Sequence, residues 1–273
     1  MDEITTLKKA LNQYQITPSK KLGQHFLVNN DIIHNIIRSS GNMQNKNVLE
    51  VGPGIGALTK VLSQMDLKSL TIIEIDKKIS DFLSKTYVSN ANNLRVLNDD
   101  ALKIKEENII DGNFTIIANL PYNTSVLLII KWIKKIQFID QIIVMVQKEV
   151  ANRIIGEVST HNYGRLSILA QLNCECELLF DVDPSNFFPP PKVISSIIKL
   201  KPKKQRLNTI EMLNIEKVCK VLFTFRRKKI YKGLKYIIAD PKKTLTFLEI
   251  DYNKRCEQLT SDEFLKISSR ITV

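Results

Sequence analysis

The residues best suited to chemistry are Asn119, Leu120, Pro121 and Tyr122, at the end of the apolar run FTIIA, which reads as a buried strand. An amide, a backbone carbonyl and a phenol ring around one turn make a small pocket with two acceptors and a stacking face. Pro121 fixes the turn and restricts the residue before it, holding the Leu120 carbonyl outward. The Asn119 side-chain oxygen and that carbonyl can grip both hydrogens of an exocyclic amine such as adenine's, a poor nucleophile because its lone pair is delocalised into the ring. Tyr122 can stack on the base and face the positive charge that develops as the amine takes up a methyl group. Plain turns also use Asn and Pro. What favours chemistry here is position, at a strand end well downstream of a glycine turn.

That turn lies in VLEVGPGIGALT, where Gly52 and Gly54 let the backbone approach a ligand at the carboxyl edge of a sheet. Gly52-x-Gly54-x-x-Ala57 also satisfies a loose dinucleotide fingerprint. Glu50, in the preceding strand, would repel a pyrophosphate but welcome a sulfonium or an ammonium, and Pro53 removes a donor that a phosphate cradle would use. Glu74 ends the next strand, where a carboxylate can accept from a ribose diol. Asp100, after the strand that follows, can bind an adenine amine, while Asp76 reads as a helix cap.

Apolar strands and helices that position these groups alternate from about residue 30 to 155. Strands are expected at 48–51, 70–75, 94–97, 114–118 and 141–146, with helices between them, the first capped by Asp31. The pattern implies an α/β fold with a parallel, doubly wound sheet. Later strands at 175–180 and 193–200, separated by the rigid FFPPPK, suit an antiparallel addition at the sheet edge. KLKPKKQR reads as a linker, and the chain beyond it is helical. One boundary is therefore expected, between a catalytic domain at 1–202, whose N-terminal segment 1–30 closes the site, and a small helical domain at 203–273.

Lysine and arginine number 40 against 28 acids, a net charge of +12 that favours a polyanionic partner. The four cysteines show no metal spacing, so no metal is expected. No apolar run reaches the roughly 18 residues a membrane helix needs, and the polar N-terminus resembles neither a signal peptide nor a presequence. A cytoplasmic protein without a membrane partner is the expectation.

Taken together, KKLGQHFLVN, VLEVGPGIGALT, IEID, DDAL, NLPYN, QKEVANRI, YGRLSILAQ and FFPPPKVISS resemble the rRNA adenine dimethyltransferases, most closely the branch acting on the bacterial small subunit. The resemblance covers nearly all of residues 18–200. It implies a Rossmann-like class I methyltransferase fold and S-adenosylmethionine as methyl donor. It also implies that His25 and Leu27 cover that donor alongside Gly52, Gly54, Glu74, Asp100 and Asn119, and that Phe187 sandwiches the target base against Tyr122. His25 would act as a hydrogen-bonding wall and not as a general base. The implied substrate is a pair of adjacent adenines in the loop of the 3′-terminal hairpin of small-subunit rRNA, within a pre-30S particle, and the implied enzyme is a monomer.

Arg226, Arg227, Lys228, Lys229, Lys232 and Lys235 cluster in the helical domain and, with Arg153 and Arg165, are candidate RNA phosphate contacts; Lys8, Lys9, Lys20, Lys21 and Lys148, together with the same Arg153 and Arg165, could flank the pocket. The segment FTFRRKKIYKGL departs from the family's FxQRRKTxRNSL-like pattern, Phe225, Lys229, Lys232 and Gly233 replacing polar residues. The rival readings are a large-subunit rRNA methyltransferase of the macrolide-resistance type, a non-catalytic RNA-binding factor on the same fold, and an NAD oxidoreductase.

Overall fold

The computed structural model describes residues 3–19, 21–88 and 93–271; Lys20 lies outside them. By contact the chain divides into two units, the first comprising residues up to Ala151 together with Glu177–Lys201, the second Asn152–Cys176 with the chain from Pro202 onward.

The chain enters the first unit through α1 (Glu3–Gln13), a two-residue strand β1 (Phe26–Leu27) and α2 (Asn30–Ser39). The main sheet follows, with strands β2 (Asn47–Val51), β3 (Ser69–Glu74), β4 (Leu94–Asn98), β5 (Phe114–Asn119), β6 (Ile139–Gln147), β7 (Cys174–Val182) and β9 (Ser195–Pro202). Across the sheet they run β4-β3-β2-β5-β6-β9-β7. Strands β2 to β6 pair in parallel, and β9 lies antiparallel to β6. The central strands are β-branched and buried along most of their length, as a sheet covered on both faces requires. α3 (Ala57–Leu62), α4 (Lys77–Tyr87) and α5 (Ser125–Lys134) carry the crossovers, and α6 (Lys148–Ile154) leads out of β6.

Because β2 sits between β3 and β5, strand order reverses there. The crevice outside the carboxyl ends of those strands is where an open α/β sheet receives ligands. Gly52 and the Asn119 turn meet at this point: a Cβ added to Gly52 would lie 3.3 Å from Pro121 Cδ.

A second ladder, of two strands, joins β1 to β8 (Phe187–Phe188), with Phe26 opposite Phe188 and Leu27 opposite Phe187. Asn29 extends the clasp, its amide donating to Asn186 Oδ1 at 2.8 Å. Asn29 is also the N-cap of α2, accepting from Asp31 N and Ile32 N. The cap is therefore Asn29, not Asp31, because the side chain one residue before the helix is the one that reaches its first free amides. Asp76 caps α4 in the same way.

The second unit is helical: α7 (Arg165–Asn173), α8 (Thr209–Thr224), α9 (Ile230–Leu234), α10 (Pro241–Phe247) and α11 (Ser261–Ser268). Where the sequence suggests a single boundary after residue 202, the contacts have the chain pass between the units three times, after Ala151, after Cys176 and after Lys201. α7 buries Leu166, Ile168, Leu169 and Ala170, and Arg165 Nη2 pairs with Glu216 Oε1 of α8 at 2.8 Å. Among the described residues, no helix is long and apolar enough to cross a membrane.

Candidate functional site

An open cleft with about 1060 Å3 of empty space, counting its mouth, lies over the carboxyl ends of β2, β3 and β5. Its walls include His25, Leu27, Glu50, Gly52, Gly54, Glu74, Asp100, Asn119, Leu120, Pro121 and Tyr122, so the strand-end motifs and the N-terminal segment converge on one place.

Gly52 and Gly54 both have positive φ, 66° and 56°, which most residues resist. Glu50, just before them, is wholly buried, and burial pushes its carboxyl up to about 8. Its Oε2 accepts from Thr59 Oγ1 at 2.7 Å, while Oε1 has no partner among the described residues. A buried carboxyl with an unused oxygen at the cleft wall suits a cationic ligand and opposes a pyrophosphate. Glu74 is 4% exposed and burial raises it to about 7; its Oε1 accepts from Asp76 N at 2.8 Å.

Asp100 lies on the loop after β4, where its Oδ1 accepts from Leu102 N at 2.9 Å. The loop is anchored from α5 by residues with no sequence signal of that role. Lys131 Nζ donates to the carbonyls of Ala101 and Ile104 and to Glu106 Oε1, and Trp132 Nε1 donates to the same carboxylate at 2.9 Å. These bonds fix the backbone that carries Asp99 and Asp100.

At the Asn119 turn, Nδ2 donates to the His25 carbonyl at 3.2 Å. With the donor end of the amide tied, its oxygen is left as an acceptor at the cleft. Leu120 has its side chain buried and its amide bonded to Met145 O at 3.2 Å. Tyr122 is fixed by a 2.6 Å hydrogen bond between its hydroxyl and Ser195 Oγ; burial raises its phenol and Ser195 partly offsets this. The His25 ring stacks on Tyr122, centroids 5.5 Å apart at 27°, and its Nδ1 lies 2.7 Å from Pro189 O.

The structure buries Phe187, the ring expected to face Tyr122 across the target base. It is 2% exposed in the core, opposite Leu27 in the β1–β8 ladder, and it does not line the cleft. The ring facing Tyr122 is that of His25. The neighbouring Phe188 is half-buried, with Lys8 Nζ 5.1 Å from its centroid. Phe26, which belongs with Gln24 to the N-terminal motif expected to help close the pocket, packs on the glycine turn: a Cβ on Gly54 would fall 2.7 Å from its ring.

Arg153, Arg165 and Arg226–Lys229 all belong to the helical unit. Arg153, Arg227 and Lys228 are exposed. Arg165 is engaged by Glu216, Arg226 donates to His161 O at 3.2 Å, and Lys229 donates to Asn253 Oδ1 at 2.8 Å. Lys148 of the first unit is paired with Asp181 at 2.6 Å. Among the described residues, no group of three or more His, Cys, Asp or Glu is placed to hold a metal ion.

A parallel sheet whose order reverses beside the glycine turn, with one antiparallel strand inserted near its edge, defines a class I methyltransferase fold. Comparison with known proteins narrows that class. The chain belongs to the ribosomal RNA adenine dimethylase family, whose profile matches residues 17–272. It is 35% identical over 261 residues to ribosomal RNA small subunit methyltransferase A of Wolbachia pipientis subsp. Culex pipiens (strain wPip), covering 96% of this chain and 99% of that one. The protein of the same name from Pelagibacter ubique (strain HTCC1062) is 34% identical over 255 residues, 92% of this chain and 96% of its own. Among solved structures, a dimethyladenosine transferase from Plasmodium falciparum superposes with a TM-score of 0.72 at 28% identity, over 89% of this chain and 96% of that one. The 23S rRNA methyltransferase ErmE superposes with a TM-score of 0.68 at 24% identity, over 90% of this chain and 99% of its own, a likeness of fold.

Proposed function

We propose that this chain dimethylates the exocyclic amines of two adjacent adenines in the 3′-terminal hairpin loop of small-subunit rRNA, acting as a monomer on a pre-30S particle in the cytoplasm. The donor-side residues fit S-adenosylmethionine. The unpartnered Glu50 oxygen and the buried Glu74 offer acceptors to a cationic, diol-bearing ligand, Asp100 stands on the anchored loop for an adenine ring, and His25 and Leu27 cover them. Bound there, S-adenosylmethionine supplies an electrophilic methyl group carried on a sulfonium.

The observation that carries the reading is the Asn119 amide, held by its nitrogen to the His25 carbonyl so that its oxygen remains an acceptor. That oxygen and the Leu120 carbonyl take the two hydrogens of the target amine and concentrate its lone pair on nitrogen. Tyr122, pinned by Ser195, offers its ring to the base and to the growing positive charge. The product nitrogen loses its proton readily, so no side chain needs to act as a strong base.

Mass spectrometry of rRNA from a host lacking the gene should find both adenines unmodified, with dimethylation restored by the parent chain. Asn119→Ala should restore none, its turnover falling at least about a hundredfold, the scale of losing one preorganised polar contact, while RNA affinity stays near the parent's. Adenines still dimethylated in the deletion host would overturn the assignment. Methylation of a large-subunit adenine with macrolide resistance would move it to the rival branch.

A further inference from the structure

In the helical unit, the stretch from Phe225 to Tyr236 carries six cations and no acid. Inside this stretch the Phe225 and Tyr236 rings lie nearly parallel, 9° apart with centroids at 5.3 Å. Phe225 is half-buried, whereas Tyr236 is 62% exposed. Phe225 supplies the supporting ring. Gly233 is buried beside it: a Cβ there would crowd Leu222 at 3.3 Å and lie at ordinary contact distance, 3.7 Å, from Phe225.

Lys235 Nζ stands 5.2 Å from the Tyr236 centroid. A solvent-exposed ammonium is held only weakly by a ring and is readily exchanged, while a stacked base is held more strongly. A rigid, flat, exposed ring among cations is what single-stranded nucleic acid uses: the charges follow the phosphates and the ring takes a base. A protein partner of matching acidity would be served by the charges alone and would give no reason for a backed, solvent-facing ring.

We propose that Tyr236, backed by Phe225, is a stacking ledge for an unpaired RNA base, with Arg227, Lys228 and Lys235 on the flanking phosphates; this rests on reading the chain as an enzyme of RNA. The ledge belongs to the helical unit, not to the cleft that receives the target adenine, and serves to hold an RNA segment outside that cleft.

The test uses the full chain and a fluorescein-labelled oligouridylate about a dozen nucleotides long, within the span of one single-strand groove. Tyr236→Ser should weaken binding about tenfold, Tyr236→Trp should restore it, and the salt dependence should be unchanged because no phosphate contact is lost. Lys228→Ala should instead lower the salt slope by about one. Parent-like affinity in Tyr236→Ser would overturn the ledge and leave methyl transfer standing. A Tyr236→Ser defect seen with whole small subunits but not with the oligonucleotide would also overturn it, in favour of a protein contact. A parent chain that neither binds the oligonucleotide nor methylates rRNA would overturn both readings.

Discussion

If the two buried carboxyls at the cleft wall receive the donor as proposed, binding it is a proton-linked event. Burial raises Glu50 to about 8 and Glu74 to about 7, so near neutral pH the unliganded protein keeps much of both protonated. A cation or hydrogen-bond donors at these oxygens favour the charged form, lower both values in the complex and expel protons. Affinity for S-adenosylmethionine should therefore climb from about pH 6 to about pH 8 and flatten above it, as linkage requires when the free form binds more protons. Calorimetry in buffers of different ionisation heat would count the protons released, and subtracting Glu50→Gln removes the titration of the ligand's own amine. Equal proton release by parent and variant would refute the role given to Glu50. At this scale the sequence was informative where chemistry demands unusual residue types at strand ends: Asn119, Glu74, Asp100 and the glycines all reach the cleft. It was silent on Lys131 and Glu106, because a lysine bonding the carbonyl of a loop far back along the chain has no local pattern.

The clasp between β1 and β8 is the element that finishes the site. His25, one residue before it, holds Asn119 through its carbonyl, contacts Pro189 through Nδ1 and stacks on Tyr122. Phe26 packs on Gly54, which combines a positive φ with no room for a methyl group. Gly54→Ala should cost about 1–2 kcal/mol from its left-handed backbone, and must also displace Phe26 and loosen the clasp. The expected outcome is a thermal midpoint a few degrees lower and a larger loss of donor affinity; Gly41→Ala, with positive φ but open space around it, isolates the backbone share. Equal effects of the two changes on donor affinity would mean that the clasp does not cover the donor. The burial of Phe187 belongs to this scale. The family motif identifies an aromatic pair but not which ring points inward. That follows from the register Phe26–Phe188 and Leu27–Phe187, between segments from opposite ends of the first unit's sequence. Alternation along a two-residue strand leaves no periodicity to read.

For the molecule as a whole, the parallel sheet was legible because each strand is a short β-branched run between helical repeats, whereas the partition of the chain was not. α7 has almost no polar face, so its sequence says that it is buried without saying by what. The structure packs it with α8 and α11, and two further bonds bind 152–176 to the later chain: Lys203 N donates to Asn173 O at 2.9 Å, and Ser159 N to Glu257 O at 2.8 Å. A chain ended at residue 202 therefore loses the partners of α7 and exposes Leu166 and Leu169, both 2% exposed or less in the full protein. At roughly 1.5–3 kcal/mol for each large apolar side chain returned to water, these two alone cost about 3–6 kcal/mol, which reaches the lower end of a whole domain's stability. Such a chain should bind a hydrophobic dye, aggregate on warming and melt without a sharp transition, while keeping the far-ultraviolet signature of its sheet. If it instead melted cooperatively near the parent's midpoint, 152–176 would fold independently of the helices after residue 202, and the single boundary suggested by the sequence would stand.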